Sequence, residues 1–306
     1  MSGFSRTSLF EFAQGVVSTV CGFRGKEGSV ADVIFAVGDM AGHADDNPGS
    51  QATAKLMTSL IAGNPGAEVL LLGDNAYADG KKQEYDDFYL PFWGESALGS
   101  RVRPCPGNHD YHTKNASDYF AHFGKQAGPD AVRGYYSFDI GAWHVVSLNT
   151  ERDYKKGSEQ LKFLKDDLTA HAAMPTIAFF HRPRFGSGGH GDSDNPEAFW
   201  DVLFSHHVEI ALCGHAHHYE RFAPQTPGQK PDAKGIRQFI VGTGGRGLVA
   251  PKPPHRRKPN SEVADGETFG ILKLTLSAHA YEWEFIPTPG GGGFTDRSAS
   301  PHPANH

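Results

Sequence analysis

Five times in this chain a short apolar run ends in side chains able to bind a metal ion. The segments are Gly38-Asp39-Met40, Gly73-Asp74-Asn75-Ala76-Tyr77, Gly107-Asn108-His109-Asp110, Phe179-Phe180-His181-Arg182-Pro183 and Gly214-His215-Ala216-His217. In a parallel α/β sheet, ligands bind at the carboxyl ends of the strands, and a loop that follows a strand gives a ligand side chain a rigid base. Five placements in order therefore predict one ligand set gathered along one sheet edge. Asp and Asn also cap helices that follow strands. That explains any single Gly-Asp pair, but not the series.

The spacing of the runs sets the fold class. Asp39 and Asp74 are 35 residues apart, and Asp74 and Asn108 are 34 apart, each about one βαβ unit. Val33–Val37, Val69–Leu72 and Arg101–Cys105 read as buried parallel strands, with helical stretches at Ala52–Ala62 and Gln83–Leu90 between them. Tyr135–Ile140 and Trp143–Leu148 flank Gly141-Ala142 and read as a hairpin. A helix over Glu159–Ala170 carries Leu161, Leu164 and Leu168 at helical spacing. Thr176–Phe180 and Val208–Leu212 are strands, with a helix near Glu197–Phe204 between them. Phe239–Val241, Phe269–Leu276 and Ala280–Phe285 complete the strand set. Residues 223–236 and 248–268 read as polar, Pro-rich loops. The chain thus divides into an irregular lead-in over 1–30, one domain over 31–287 and a Gly-rich tail over 288–306 that reads as disordered.

Composition narrows the partners. With 306 residues, 38% hydrophobic residues and 21 Phe, the chain has enough apolar material for a substantial core. A formal charge of −6 argues against nucleic acid or an anionic membrane surface as a general partner. Three cysteines, Cys21, Cys105 and Cys213, are too few for a disulfide framework, and the last two read as small buried hydrophobes. No run approaches the ~18 apolar residues of a membrane span. Arg6, Glu11 and Gln14 interrupt any secretory apolar stretch, so the sequence as given reads as cytoplasmic, or as secreted if a leader has been removed. Gly242-Thr243-Gly244-Gly245-Arg246-Gly247 fits a dinucleotide-binding pattern, but no helix follows it. Its glycines instead let the backbone pass close to the ligand set.

Over roughly residues 33 to 245 the motif set resembles the calcineurin-like metallophosphoesterases. In that superfamily the first motif usually reads Asp-x-His, whereas here it is Asp39-Met40-Ala41, and Tyr77, three residues after Asp74, offers a replacement. That exchange marks the purple acid phosphatases, which the chain resembles most closely. His181-Arg182-Pro183 and Gly214-His215-Ala216-His217-His218-Tyr219-Glu220-Arg221 are also similar to that family. The length is similar to the small single-domain members. The resemblance implies a four-layer α-β-β-α sandwich, two mixed sheets flanked by helices, with a dinuclear metal site at the strand ends. The first metal would be held by Asp39, Tyr77 and His217, and the second by Asn108, His181 and His215, with Asp74 bridging. Two carboxylates and a phenolate suit Fe³⁺, while two imidazoles and an amide oxygen suit Fe²⁺, Zn²⁺ or Mn²⁺. The implied reaction is direct hydrolysis of a small phosphate ester by water activated through metal coordination. His190 would act as general acid and His109 as phosphate binder.

Two other readings stay open on the sequence. A phosphodiesterase acting on cyclic nucleotides or phospholipid headgroups shares the fold, but usually retains the Asp-x-His motif. A non-catalytic phosphate-binding protein would be expected to have lost some of the ligands, and here all are present.

Overall fold

The structure, a computed structural model, describes residues 31–94, 98–130, 132–190 and 196–302. The lead-in over residues 1–30, and Cys21 with it, lies outside them. Strand β1 (Asp32–Val37) sets the pattern of the whole fold. Ile34 and Ala36 enter one core while Phe35 and Val37 enter another, and all four are fully buried. Side chains alternate along a strand, so an unbroken apolar run has to be covered on both faces. Strand β2 (Glu68–Leu72) divides in the same way, with Leu70 and Leu72 on the first side and Val69 and Leu71 on the second.

Helix α1 (Ser50–Gly63) covers one face of β1 and β2. It buries Ser50, Thr53, Ala54, Met57 and Ile61, the stripe that helical periodicity requires. Strand β3 (Val102–Cys105) and helix α2 (Ser117–Phe123) follow, and Tyr119, Phe120 and Phe123 of the helix join the same core. Between β2 and β3 the expected helix is irregular: a turn at Lys82–Glu84, a π-helical turn at Tyr85–Tyr89, and a further turn at Leu90–Trp93. The wider turn lets both Tyr85 and Tyr89 face inward, where they are buried.

The chain then builds a second sheet from β4 (Tyr136–Ile140), β5 (Trp143–Ser147), β6 (Thr176–Phe180), β7 (Ile210–Cys213), β8 (Tyr219–Phe222), β9 (Arg237–Val241) and β10 (Ser261–Asp265). Its order is β10-β8-β9-β7-β6-β5-β4. Helices α3 (Glu159–Ala170) and α4 (Glu197–Ser205) cover its outer face. The Ser158 hydroxyl caps α3 by accepting from the Leu161 amide at 3.2 Å. Strands β11 (Gly270–Leu276), β12 (Ala280–Pro287) and β13 (Arg297–Pro301) return to the first sheet, whose order is β13-β12-β11-β1-β2-β3. The inner faces of both sheets share one core, in which Leu72, Val145, Phe179, Leu212 and Phe285 are all fully buried. This is a four-layer α-β-β-α sandwich of two mixed sheets. Among the described residues no helix is long and apolar enough to cross a membrane.

Two expectations from the sequence are corrected. Residues 248–268 are not all loop: Ser261–Asp265 forms β10, paired with β8, a strand the apolar pattern did not reveal. The tail is not disordered as far as residue 302. Residues 297–301 pair with β12, whose outer edge would otherwise stay open. Before them, the buried carboxylate of Asp296 accepts from Arg221 Nε at 2.6 Å, Arg221 Nη2 at 3.1 Å and the Tyr219 hydroxyl at 2.8 Å. Composition alone cannot register that buried guanidinium waiting for a partner. His302, just after β13, has its Nδ1 2.9 Å from Glu209 Oε2. Asp296→Ala should therefore destabilise the fold by about 2–4 kcal/mol, read by urea unfolding, whereas Asp45→Ala on the exposed surface should stay within about 0.5 kcal/mol.

Candidate metal centre

The five motifs sit at the carboxyl ends of β1, β2, β3, β6 and β7, three on one sheet and two on the other. The two sheets come very close there. The Gly38 amide donates to Val241 O across the gap at 2.9 Å. A Cβ on Gly214 would lie 2.7 Å from Leu72 O and 2.8 Å from Asp39 Oδ2. One on Gly107 would lie 2.2 Å from Asp74 Oδ1, so only glycine fits at either position. Asp39, Asp74 and His215 themselves adopt left-handed backbone, with φ of 62°, 51° and 67°. Such a conformation costs a non-glycine residue about 1–2 kcal/mol, and it recurs where side chains are held for function.

These turns bring seven side chains together. The Tyr77 hydroxyl donates to Asp39 Oδ1 at 2.8 Å and lies 3.1 Å from Asp74 Oδ2. His217 Nε2 stands 3.5 Å from both the Tyr77 hydroxyl and Asp39 Oδ1. On the other side of Asp74, His181 Nε2 is 3.3 Å from Asp74 Oδ2, 3.2 Å from Asn108 Oδ1 and 3.2 Å from His215 Nδ1. The single oxygen Asp74 Oδ2 thus belongs to both groups. Its partner Oδ1 accepts from the His109 amide at 2.8 Å, which fixes the carboxylate's orientation.

The electrostatics of this set call for a cation. Leu72 O accepts from His181 Nδ1 at 2.8 Å, so the facing Nε2 looks onto a carboxylate, an amide oxygen and a second imidazole nitrogen. The carboxylate and the amide oxygen have no proton to share, while His215, whose Nε2 accepts from Arg182 Nη1 at 3.3 Å, turns its N–H at Nδ1 towards His181. Burial works against charging His181, but the Asp74 carboxylate outweighs it and lifts the imidazole to about 9. Asp74 is held low: burial opposes ionisation, and His181 and His109 more than offset it. Burial, then His181 and Arg182, pushes His215 down to about 2 and keeps the ring neutral. Burial and the carboxylates of Asp39 and Asp74 raise Tyr77 well above its ordinary range, so a phenolate there needs a strongly charged cation beside it. Two carboxylates, a phenol, three imidazoles and an amide oxygen fit a pair of metal ions.

His190 and His109 lie over this cluster. The His190 ring is 4.5 Å from that of His215 and 5.6 Å from that of His217. Burial and His217 lower its pKa. The His109 ring packs 4.5 Å from Tyr77, with Nε2 3.9 Å from Asp74 Oδ2.

Several participants were given no role by the motif pattern, although most of them stand inside it. Arg182 makes a bidentate pair with Glu151 at 2.7 and 3.2 Å and turns Nη1 to within 3.3 Å of His215 Nε2. Glu151 follows β5, so a sixth strand end, Leu148-Asn149-Thr150-Glu151, could have drawn notice. Arg246 stacks over the Tyr77 ring at 5.0 Å, and its amide donates to Asp39 O at 3.0 Å. It belongs to the glycine run, which does pass against the site, with the Gly244 amide donating to Gly38 O at 3.0 Å. Asp110 accepts from the Gly107 amide at 2.8 Å, the Tyr85 hydroxyl at 2.7 Å and the Asn75 side chain at 3.0 Å, locking two of the turns together. The fully buried Glu220 accepts from the Ser187 amide at 2.8 Å and the Ser261 hydroxyl at 2.6 Å, and lies 3.1 Å from His218 Nε2. Ser187 in turn accepts from the Lys252 and Lys258 amides, each at 2.9 Å. This knot anchors the loop that leads to His190.

Comparison with known proteins agrees with this geometry. Residues 32–219 match the family model for calcineurin-like phosphoesterases. Among curated relatives, probable inactive purple acid phosphatase 9 of Arabidopsis thaliana is 26% identical over 315 residues, covering 86% of this chain and 45% of its own length. Purple acid phosphatase 18 of the same plant is 29% identical, covering 69% of this chain and 51% of its own. The chain thus spans about half the length of these relatives. A purple acid phosphatase from yellow lupin seeds shares the fold, with a TM-score of 0.74 at 22% identity over 89% of this chain and 54% of the lupin chain. Fold and family match together show that the chain belongs to the calcineurin-like phosphoesterase family and is most like its purple acid phosphatases.

Proposed function

We propose that this chain hydrolyses phosphomonoesters at a dinuclear centre. Asp39, Tyr77 and His217 would hold Fe³⁺, and Asn108, His181 and His215 would hold Fe²⁺, Zn²⁺ or Mn²⁺, with Asp74 between them. The observation that carries the reading is Asp74 Oδ2, which lies within 3.1 Å of the Tyr77 hydroxyl and 3.3 Å of His181 Nε2. When bound, a metal pair supplies Lewis acidity towards the phosphoryl oxygens and brings water's pKa down towards neutrality. The protein's own share is positioning and proton transfer. The His109 amide orients the Asp74 carboxylate, and the His109 ring faces the site where a phosphate oxygen would sit. His190 would protonate a leaving alkoxide, its ring 4.5 Å from that of His215; its lowered pKa would confine that role to acidic pH, and Ser187 and Glu220 hold its loop in place. Arg182, steadied by Glu151, presents a guanidinium edge beside His215 for a phosphate oxygen.

A non-catalytic reading draws on the word "inactive" in the names of four relatives. The seven ligand positions argue against it for this chain, because each is filled by a competent side chain.

Purified protein should show a broad visible absorption band together with bound iron, and Tyr77→Phe should lose the band while keeping metal. A colourless protein holding two divalent ions would remove Tyr77 from the proposed iron site and reopen the diesterase reading. Asp74→Ala and His215→Ala should each abolish hydrolysis of p-nitrophenyl phosphate and lower metal content with an unchanged circular dichroism spectrum. Full activity in either would refute the site. His190→Ala should slow turnover of alkyl phosphates by about 10²–10⁴-fold. It should affect p-nitrophenyl phosphate far less, since that leaving group needs little protonation. Ser187→Ala should produce a weaker version of the same leaving-group dependence.

A further inference from the structure

The loop that joins β9 to β10 holds a run of positive charge that the metal centre does not account for. Lys252-Pro253-Pro254-His255-Arg256-Arg257-Lys258 places four Lys and Arg, and no Asp or Glu, in seven residues of a chain whose formal charge is −6. Lys252, His255 and Arg256 are exposed. Among the described residues, no carboxylate lies within ion-pair distance of Lys252, Arg256 or Arg257. Like charges held together repel one another, and a loop free to move would spread them apart.

This loop is held in place. Prolines at 251, 253, 254 and 259 fix φ along it, and Pro254–Arg256 closes a 3₁₀ turn. Arg257 donates from Nε to Lys252 O at 3.2 Å and from Nη2 to Ala264 O at 3.1 Å, so its guanidinium ties the start of the run to β10. The position beside the metal-ligand cluster is fixed as well. The Val249 amide donates to His217 O at 2.8 Å, and the Lys252 and Lys258 amides donate to Ser187, each at 2.9 Å. A Cβ on Gly189 would meet Val249 Cγ1 at 3.6 Å. Residues 249–252 therefore run alongside the segment that ends in His190, and Lys252 follows Val249 by a stretch of at most ~11 Å.

We propose that this loop is a subsite for a second phosphate group, received by Lys252 and Arg256 while the first phosphate occupies the dinuclear centre. On the phosphatase reading, on which this rests, the substrate class is a small phosphomonoester that carries a further phosphate, such as a sugar bisphosphate. The guanidinium offers phosphate a fixed fork of donors and the ammonium a point charge, and a loop already stiff loses little freedom when it binds. A polyanion would relieve the repulsion within the run. In a chain of net negative charge, the loop supplies the local attraction that such a substrate needs. The reaction itself is unchanged. Water adds to the phosphorus at the metal centre, the P–O bond to the sugar breaks, and the alcohol takes a proton and leaves with its second phosphate intact.

Steady-state kinetics on the full chain should give fructose 1,6-bisphosphate a kcat/KM at least about tenfold above that of fructose 6-phosphate, and the preference should fade as salt is added. In the double variant Lys252→Ala/Arg256→Ala the two substrates should approach parity, through a raised KM for the bisphosphate with kcat kept. The cation swap Lys252→Arg/Arg256→Lys should retain most of the preference, which a merely structural role of the two side chains would not require. Calorimetric titration of inositol hexakisphosphate, a probe that needs no turnover, should be weakened at least about tenfold by the double alanine change and far less by the swap. A chain that hydrolyses p-nitrophenyl phosphate but shows neither the preference nor the charge-dependent binding would overturn the subsite and leave the phosphatase reading standing. So would an equal rise in KM for both fructose phosphates. A chain that hydrolyses no ester, yet loses hexakisphosphate binding with the double change, would overturn the phosphatase reading and keep the anion subsite.

Discussion

The structure turns on a buried carboxylate that has to serve two neighbours at once. Asp74 is nearly sealed from solvent, with one oxygen fixed by the His109 amide and the other facing both Tyr77 and His181. Leaving such a charge in a low-dielectric interior without compensation is expensive. Here the compensation comes from groups on several different strand ends. Asp39 faces the same demand a few ångströms away. Two sheets must therefore meet edge to edge at one spot, and much of the architecture serves that meeting.

Close approach has its own cost. Glycines at 107, 214, 242 and 244 carry no side chain where one would strike backbone or a carboxylate, and Asp39, Asp74 and His215 accept left-handed backbone. Each concession weakens the fold locally, and the fully buried apolar layers on either side of the sheets offset it. Stability is concentrated in the layers, and part of the backbone strain falls at the strand ends that carry Asp39, Asp74 and His215. The same economy places Asp110, Glu220 and Glu151 beneath those strand ends, where each acts as an acceptor that holds a turn, a loop or a guanidinium in register.

Much of this was legible in the sequence because apolar runs and ligand side chains are local signals. The run Val33–Val37 followed by Asp39 announces both a buried strand and what it presents. What escaped notice is non-local. Strand β8 reads Tyr219-Glu220-Arg221-Phe222, with two charged residues that look exposed until Glu220 meets Ser187 and Arg221 meets Asp296. Strand β13 reads Arg297–Pro301 and has no apolar face at all; its place is set by the open edge of β12. Arg182 stood inside a recognised motif, yet its orientation depends on Glu151, 31 residues earlier. In each case the missing information was the partner, which composition and periodicity do not encode.

Strand β1, which carries Asp39, lies between β2 and β11, with Asp32 opposite Leu276. The sheet's centre is thus joined by segments 244 residues apart, from 32 to 276, the kind of pairing that forms slowly. On the ribosome, β1 has its β2 neighbour long before β11 is made, and it keeps an open edge in between. If the strand-end cluster holds metal as proposed, its side chains would be made before the sheet that carries them is complete, and a chain cut short before residue 270 would carry all seven of them with one edge of β1 still unpaired.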